Sequence, residues 1–376
     1  MSAAVKWQDW PLLLPEHKAG GQTASFSLQG MAAIRRLLQE LMSEQLLPFQ
    51  VLATQDDRIC YEIKASDKEG RAIAYRCHGR TSASFGQVLL ADENIMRVCE
   101  LGQRPVASLQ ELVRELGPIS RVCELALARR AREIEQQWQA EMAGSLNRKR
   151  RLALQEVLLL DGESALQYCD LLRVDAEGEA VIGEWIAQHG ARQWIDALLE
   201  ATLQPMLHLL YAHGIGIEAD TTNMVLLHKN GLPVRISLKE LPSGLHLAAQ
   251  FSACAGVEPS LTQSADATEP GDGGASQVLA QFYAAAMMRN FGQLSIFMRE
   301  YFRWPELTFW QQVAACIYRY QDARPQMAMR FASFDLFAPQ VQVFSPLRAK
   351  FLGEENGLRR VSNPLFRCRR PGFKAA

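Results

Sequence analysis

The stretch 211–241, reading YAHGIGIEADTTNMVLLHKNGLPVRISLKEL, constrains the fold more than any other part of the chain. An amphipathic segment over 192–213 predicts a helix, and Gly214-Ile215-Gly216 ends it because helix geometry fails there. A hydrophobic run over 224–228 follows, then Lys229-Asn230-Gly231, a turn signal that favours positive φ, then a second, alternating run over 234–238. Two such runs joined by Asn-Gly predict a hairpin. Between helix and hairpin lies the polar cluster Glu218, Asp220, Thr221, Thr222 and Asn223, and the hairpin leads into Lys239-Glu240. Carboxylates, an amide and a charged pair therefore converge on one turn region, the one segment that points to a specific chemistry.

The rest of the chain sorts into elements by period. Over 28–47, Ile34, Leu37, Leu38, Leu41 and Met42 share a helical face, with Arg35, Arg36, Glu40 and Glu44 opposite. Short alternating runs over 59–63, 72–77 and 86–90, parted by Asp67-Lys68-Glu69-Gly70 and by 78–84, predict a small antiparallel sheet on that helix. Helical period resumes over 108–143, with Leu125, Leu127, Ala131, Ile134 and Trp138 on the expected buried face. Further helices are expected over 152–168, 182–189, 278–301 and 308–320. The Gly/Pro/Ser/Asp-rich stretch 256–276 reads as a flexible loop or lid. The fold class is α+β: an N-terminal helix plus small antiparallel sheet over 1–145, and a mostly helical module with a β-hairpin over 146–376, with a ligand groove between them.

A formal charge of −1 and a pI near 6.7 give no net field for nucleic acid or an anionic membrane. The basic run Asn147-Arg148-Lys149-Arg150-Arg151 has no interleaved aromatic residue and is expected as a solvated junction. No run approaches the roughly 18 apolar residues that span a bilayer, so a cytoplasmic location is expected. The eight cysteines form no CxxC pair and are expected as buried, reduced thiols. His208 and His213, five apart, are spaced poorly for a metal pair.

On these residues a resemblance becomes visible. Leu210-Tyr211-Ala212-His213-Gly214-Ile215, Glu218-Ala219-Asp220-Thr221-Thr222-Asn223, Gly231-Leu232-Pro233-Val234-Arg235 and the closing Asn363-Pro364-Leu365 resemble motifs of the siderophore synthetases that act independently of nonribosomal peptide synthetases. Trp185, Trp194 and Pro205-Met206-Leu207 extend the likeness, which is fainter over the first 145 residues. That family uses ATP to adenylate a citrate-type carboxylate and passes it to an amine or alcohol, in a palm-like C-terminal module. The resemblance implies ATP with magnesium as cofactors, a catalytic set of Asp220, Asn223 and Lys239, cofactor contacts from Glu218, Arg348 and Lys350, and Glu240 on the metal. It also implies a homodimer.

The departures bear on the same residues. Asp220 stands where the family has a substrate-binding histidine, Lys239-Glu240 where it has Arg-Asp, and its central His-Pro-x-His-Pro and phosphate-contacting segments have no counterpart. An anion at a polycarboxylate site repels its ligand unless a proton or metal intervenes. Glu218 and Asp220 equally suit capping of the turn, Asn223 a strand start, and Lys239-Glu240 a solvated strand end. Two other functions therefore stand beside the ligase: a non-catalytic scaffold partner of a full-length siderophore synthetase, and a ferric-siderophore reductase. The reductase needs a terminal cluster of four cysteines, where Cys368 stands alone. Asn363-Pro364 is expected to brace the module, and the basic residues Arg359, Arg360, Arg367, Arg369, Arg370 and Lys374 to be solvated.

Overall fold

The computed structural model describes residues 22–55, 58–91, 95–142, 157–175, 178–217, 221, 224–238, 245–248, 262–264, 274–353 and 357–370. The boundary expected near 145, the basic run 147–151 and most of the stretch 256–276 lie outside them.

Helix α1 (Gln22–Ser43) opens the described chain, and six strands follow: β1 (Gln50–Gln55), β2 (Arg58–Ser66), β3 (Ala72–Thr81), β4 (Val88–Leu90), β5 (Met96–Cys99) and β6 (Gly102–Pro105). They form one antiparallel sheet in the order β1-β2-β3-β5-β6. The ten-residue β3 serves two neighbours in turn, β5 through residues 74–76 and β4 through 79–81. Helices α2 (Leu109–Leu116) and α3 (Glu124–Met142) complete the layer. Ile34, Leu37, Leu38, Leu41 and Met42 are buried as the period requires, against Tyr61, Ile63, Tyr75, Leu112, Leu127 and Ile134. Each such side chain contributes roughly 1.5–3 kcal/mol through burial. Leu125, expected inward, is 68% exposed, because it sits one residue off the face that Leu127, Ala131 and Ile134 bury. The polar face of α1 is covered as well: Glu40 pairs with Arg36 and Arg130, Glu44 with Arg359, and Arg35 is buried.

The helix expected over 152–168 does not extend to its end. Asp161-Gly162 turns the chain with Gly162 at φ 77, and residues 164–167 form strand β7 (Ser164–Gln167), followed by a 3-10 turn over Tyr168–Leu172. Helices α4 (Gly183–His189) and α5 (Ala191–His213) then lead into β8 (Ile215–Ile217), β9 (Met224–Lys229) and β10 (Leu232–Leu238). Part of the expected loop is ordered into sheet: β12 (Thr262–Ser264) runs parallel to β11 (Leu245–Leu247), which pairs antiparallel with β8. From Ala275 to Phe302 one helical rod forms, with α6 (Ala275–Phe282) and α7 (Gln293–Phe302) joined by a π-helical stretch over Tyr283–Gly292. Helices α8 (Glu306–Asp322) and α9 (Ala328–Ser333), strand β13 (Gln340–Phe344), helix α10 (Pro346–Leu352) and strand β14 (Leu358–Ser362) follow, and a 3-10 turn over Pro364–Cys368 comes last among the described elements.

These later elements enclose a second core around Trp194, Tyr211, Tyr283, Phe291, Phe309 and Trp310. Asn363 braces it: its amide donates to Ala338 O (2.7 Å), Leu336 O (3.1 Å) and the Tyr283 hydroxyl (3.2 Å), and its Oδ1 accepts from Leu365 N (3.1 Å). Several basic residues expected in solvent are paired instead. Arg359 meets Glu44 at 2.9 Å, and Arg370 makes two 2.8 Å bonds to Asp322 while stacking on Tyr318. Cys77, Cys169 and Cys316 are buried, Cys60, Cys99 and Cys368 partly so, and Cys123 is exposed. No helix among the described residues is long and apolar enough to cross a membrane.

The two cores meet at a buried polar clasp. Glu306 Oε2 accepts from the Ser82 hydroxyl (2.6 Å), the Ser84 hydroxyl (2.9 Å) and Ser84 N (3.0 Å), while Arg80 donates to Glu306 and Glu300 (both 2.6 Å). Trp310 Nε1 donates to Ser84 Oγ at 2.9 Å. Beside it Phe85, at φ 61, lies edge-on against Trp310 within the second core. Positive φ is strained for a bulky residue, and this packing holds it there.

Candidate functional site

The hairpin forms at the expected residues. Asn230 and Gly231 take φ of 48° and 79°, the left-handed pair that a tight turn between twisted strands requires. β9 is buried over Met224, Val225, Leu226 and Leu227 because β10 covers one edge and β7 the other. A register slip between Pro233 and Arg235 turns Val234 outward to 39% exposure. Arg235 reaches across to Glu163 (2.6 Å) and Leu158 O (2.7 Å), tying the chain before β7 to the hairpin. The Glu163 carboxyl is held down to about 2, chiefly by the Arg235 hydrogen bond.

The turn itself is clamped by the preceding helices. Trp194 Nε1 on α5 donates to Gly231 O (3.0 Å), and His189 on α4 contacts Asn230 O through Nε2 (2.8 Å). Gly231 N donates to His228 Nδ1 (3.1 Å), and the Trp185 ring lies 4.4 Å from the His228 ring. This bond requires an unprotonated Nδ1, and burial pushes the His228 pKa below its ordinary 6.5. A histidine depressed in the folded state supplies stability that is full above the unfolded pKa and lost as the pH falls below it. Unfolding monitored in urea is therefore expected to become easier as the pH drops below about 6.5. His228→Asn, which keeps an acceptor for Gly231 N without titrating in this range, should flatten that part of the dependence.

The opposite, open end of the hairpin leads to the polar residues that the sequence singles out. There Met224 stands opposite Leu238, so the strand residue after Asn223 and the strand residue before Lys239 are cross-strand partners. The 3-10 turn fixes the approach to β9, since Cys169 N donates to Thr221 O (3.2 Å). Glu218, Asp220, Asn223, Lys239 and Glu240 themselves lie outside the described residues. α5 ends at Gly214, whose left-handed φ of 66° lets the chain turn into β8, which leads towards Glu218. His208 and His213 pack edge to face at 5.3 Å, and His208 Nδ1 meets the Tyr320 hydroxyl at 2.9 Å. Among the described residues no group of three His, Cys, Asp or Glu is placed to hold a metal ion.

Arg348 and Lys350, expected on the cofactor, are drawn towards the first core. Arg348 donates to Glu44 O at 2.9 Å from the end of α1, and Lys350 pairs with Glu133 on α3. Two contributions to the region were missed from sequence: the Arg80–Glu306 clasp, whose partners are more than 200 residues apart, and Asn290. Asn290 is 2% exposed on the π-helical stretch, and its Nδ2 donates to Met224 Sδ at 3.4 Å. Its signal was visible, as an amide within the apolar run from Tyr283 to Phe291.

A long helix delivering its chain to a clamped hairpin, beside a second antiparallel sheet with its own helices, defines an α+β protein of mixed helix and antiparallel sheet. The ferric iron reductase FhuF-like transporter family matches residues 192–358. A Staphylococcus aureus 2-[(L-alanin-3-ylcarbamoyl)methyl]-3-(2-aminoethylcarbamoyl)-2-hydroxypropanoate synthase is 30% identical over 55% of this chain and 35% of its own length. A Bacillus anthracis citryl-spermidine/3,4-dihydroxybenzoyl-citryl-spermidine:spermidine ligase is 27% identical over the same shares. Escherichia coli aerobactin synthase is 26% identical over 54% of this chain and 35% of its own. In structure, the petrobactin biosynthesis protein AsbB of B. anthracis superposes with a TM-score of 0.74 at 14% identity, over 92% of this chain and 96% of its own. Over about half of its length the chain is thus similar in sequence to these synthases and ligases, and its fold is like that of AsbB. Its matched stretch makes up about a third of the length of these curated relatives.

Proposed function

We propose that this chain is a divergent siderophore synthetase, an ATP-dependent ligase that joins a citrate-type carboxylate to an amine or alcohol at the open end of the β9–β10 hairpin. The observation that carries the proposal is the Met224–Leu238 register, which brings together the two strand ends that lead to Asn223 and to Lys239-Glu240. In such a reaction the carboxylate displaces pyrophosphate from ATP, and the nucleophile then displaces AMP from the acyl adenylate. Lys239 offers a cation to the carboxylate as charge develops, and Asn223 an amide to orient it. The donor chemistry of Glu240 and the Asn223 carbonyl, two hard oxygens, suits magnesium, which would screen the phosphate charge. Glu218 is assigned to the nucleotide side. Asp220 narrows the choice of carboxylate, because it disfavours a fully ionised one unless a cation lies between.

Pyrophosphate release with ATP, citrate and a panel of diamines and amino alcohols tests the ligase. Glu240→Ala is expected to lower the rate by about 100-fold or more, and release no greater than that variant's would sink the proposal. The places of Arg348 and Lys350 favour a second reading, a non-catalytic partner of a full-length synthetase, since each makes a contact with the first core. Titration calorimetry separates the two: low-micromolar binding of ATP with magnesium excludes the scaffold.

A further inference from the structure

Two side chains five residues apart on a straight helix point about 140° from each other, yet the rings of His208 and His213 meet at 5.3 Å at the end of α5. His213 is the last residue of the helix, and the chain turns away behind it at Gly214, so its ring has no following turn to pack on and folds back over His208. His208 is exposed and His213 half-buried. His208 Nδ1 meets the Tyr320 hydroxyl at 2.9 Å, while His208 Nε2 and both ring nitrogens of His213 make no hydrogen bond among the described residues. The rings already stand at the spacing that a shared ion needs, since nitrogens bound to one ion at about 2.0–2.1 Å put imidazole centres roughly 4.5–5.5 Å apart. No hydrogen bond holds the His213 ring, so rotation about its side-chain bonds is free to bring one of its nitrogens beside His208 Nε2.

The surroundings suit a cation. The C-terminal end of a helix carries partial negative charge, and both histidines lie in the last two turns of α5. Burial, then His213 and Arg324, hold the His208 pKa below its ordinary 6.5, so the imidazole is neutral at pH 7 and open to a metal. Arg324 is the opposing charge, with its guanidinium 4.0 Å over the Tyr320 ring.

We propose that His208 and His213 form a chelating pair for one divalent transition ion, Zn²⁺, Ni²⁺ or Cu²⁺, with water in the remaining positions. Imidazole donors select these ions over magnesium and calcium, which take oxygen ligands. The site is therefore separate from the magnesium assigned to the ligase, and it does not rest on that assignment. His208 binds through Nε2 and keeps its proton on Nδ1, donating it to the Tyr320 oxygen, the kind of outer partner that orients a ligating histidine. Through Tyr320 the bound ion ties the last turns of α5 to α8, at the point where the chain leaves for β8.

Titration calorimetry of the full chain with Zn²⁺ or Ni²⁺ alone, at about pH 7.5 and about pH 5.5, tests the site. One ion per chain is expected at the higher pH, with weaker binding at the lower one because protons compete for the nitrogens. His208→Asn and His213→Asn should each weaken binding by more than about tenfold, and Tyr320→Phe by about tenfold. His78→Asn, at an exposed histidine on β3, should leave it unchanged. Arg324→Gln should tighten it, a gain that damage to the fold does not produce. With Cu²⁺ as the probe, electron paramagnetic resonance should show two nitrogen ligands in wild type and one in either histidine variant. No uptake by wild type, wild-type affinity in both histidine variants, or a loss in His78→Asn as large as theirs would each overturn the proposal.

Discussion

Glu306→Ala is expected to lower the free energy of unfolding by about 3–5 kcal/mol, among the largest effects of any single side chain outside the apolar cores. Glu306 is 3% exposed and Arg80 6%, so removing the carboxylate strands a guanidinium with Glu300 as its remaining close acidic partner. It also removes the carboxylate acceptor of the Ser82 and Ser84 hydroxyls and of the Ser84 N–H, leaving Ser84 with Ser82 Oγ, Ser295 Oγ and Trp310 Nε1 as its remaining partners. Glu306→Gln keeps an acceptor for those three donors and should cost less, which separates lost hydrogen bonds from lost charge. The pH dependence has a definite sign. Burial alone would raise the Glu306 pKa, but Arg80 and the Ser82 and Ser84 hydrogen bonds outweigh it and hold the carboxyl below its ordinary 4.5. A depressed carboxyl contributes stability that is present above its unfolded pKa and lost as the pH falls, so wild type and Glu306→Gln should converge below about pH 4.5. Urea unfolding at pH 7 and pH 4 measures both quantities. Equal stability of wild type and Glu306→Ala at pH 7 would mean that the clasp does not join the cores.

The elements that sequence revealed are those whose signal is local. α1 and α5 carry a full apolar face, and the β9–β10 turn carries Asn230-Gly231, so their positions follow from period and turn chemistry. Strand β7 was hidden because Val157-Leu158-Leu159-Leu160 extends the apolar run of the preceding segment. What makes residues 164–167 a strand is pairing with β9, about sixty residues away. The inward placing of Leu125 failed for a smaller reason, a one-residue phase error on α3. The clasp left no sequence trace, since serines and a glutamate separated by more than 220 residues read individually as surface residues.

The candidate site divides in the same way. Its framework was legible, because a helix stop, a turn and a register are written in adjacent residues. The residues holding that framework were only partly so. Trp185 and Trp194 stood out by resemblance, but His189 and His228 acquire their roles only when the turn folds back on α4 and α5. Arg348 and Lys350 show the reverse. Basic residues on a late helix suit a phosphate site by charge, yet tertiary packing places Glu44 and Glu133 beside them. Charge type alone does not tell an anion-binding arginine from one that ties two modules together.

Gly231→Ala is expected to destabilise the protein by about 2–4 kcal/mol, combining left-handed backbone strain with a steric clash. Gly231 sits at φ +79, and a Cβ there would lie 2.3 Å from Trp185 Cδ1 and 2.4 Å from Cγ. The ring cannot simply retreat, because it packs against His228 at 4.4 Å, and Gly231 O is held by Trp194 Nε1. Relief therefore requires the turn to lift off α4 and α5, breaking the contacts from Trp194, His189 and His228 together. Trp185→Ala in the same chain removes the steric part and leaves the backbone strain, so the double variant should be less destabilised than the sum of the two single changes. The effect reaches the open end because β9 is only six residues long and is one continuous ladder with β7 and β10. A turn that lifts by one residue shifts the register that brings Met224 opposite Leu238, and a register shift exchanges the faces of every side chain along the strand. In the pyrophosphate assay Gly231→Ala should thus lose activity beyond its loss of folded protein, whereas Glu306→Ala, which leaves the hairpin ladder intact, should lose activity only in proportion to unfolding. Equal residual activity per folded molecule in Gly231→Ala and wild type would show that the turn clamp and the open end are independent.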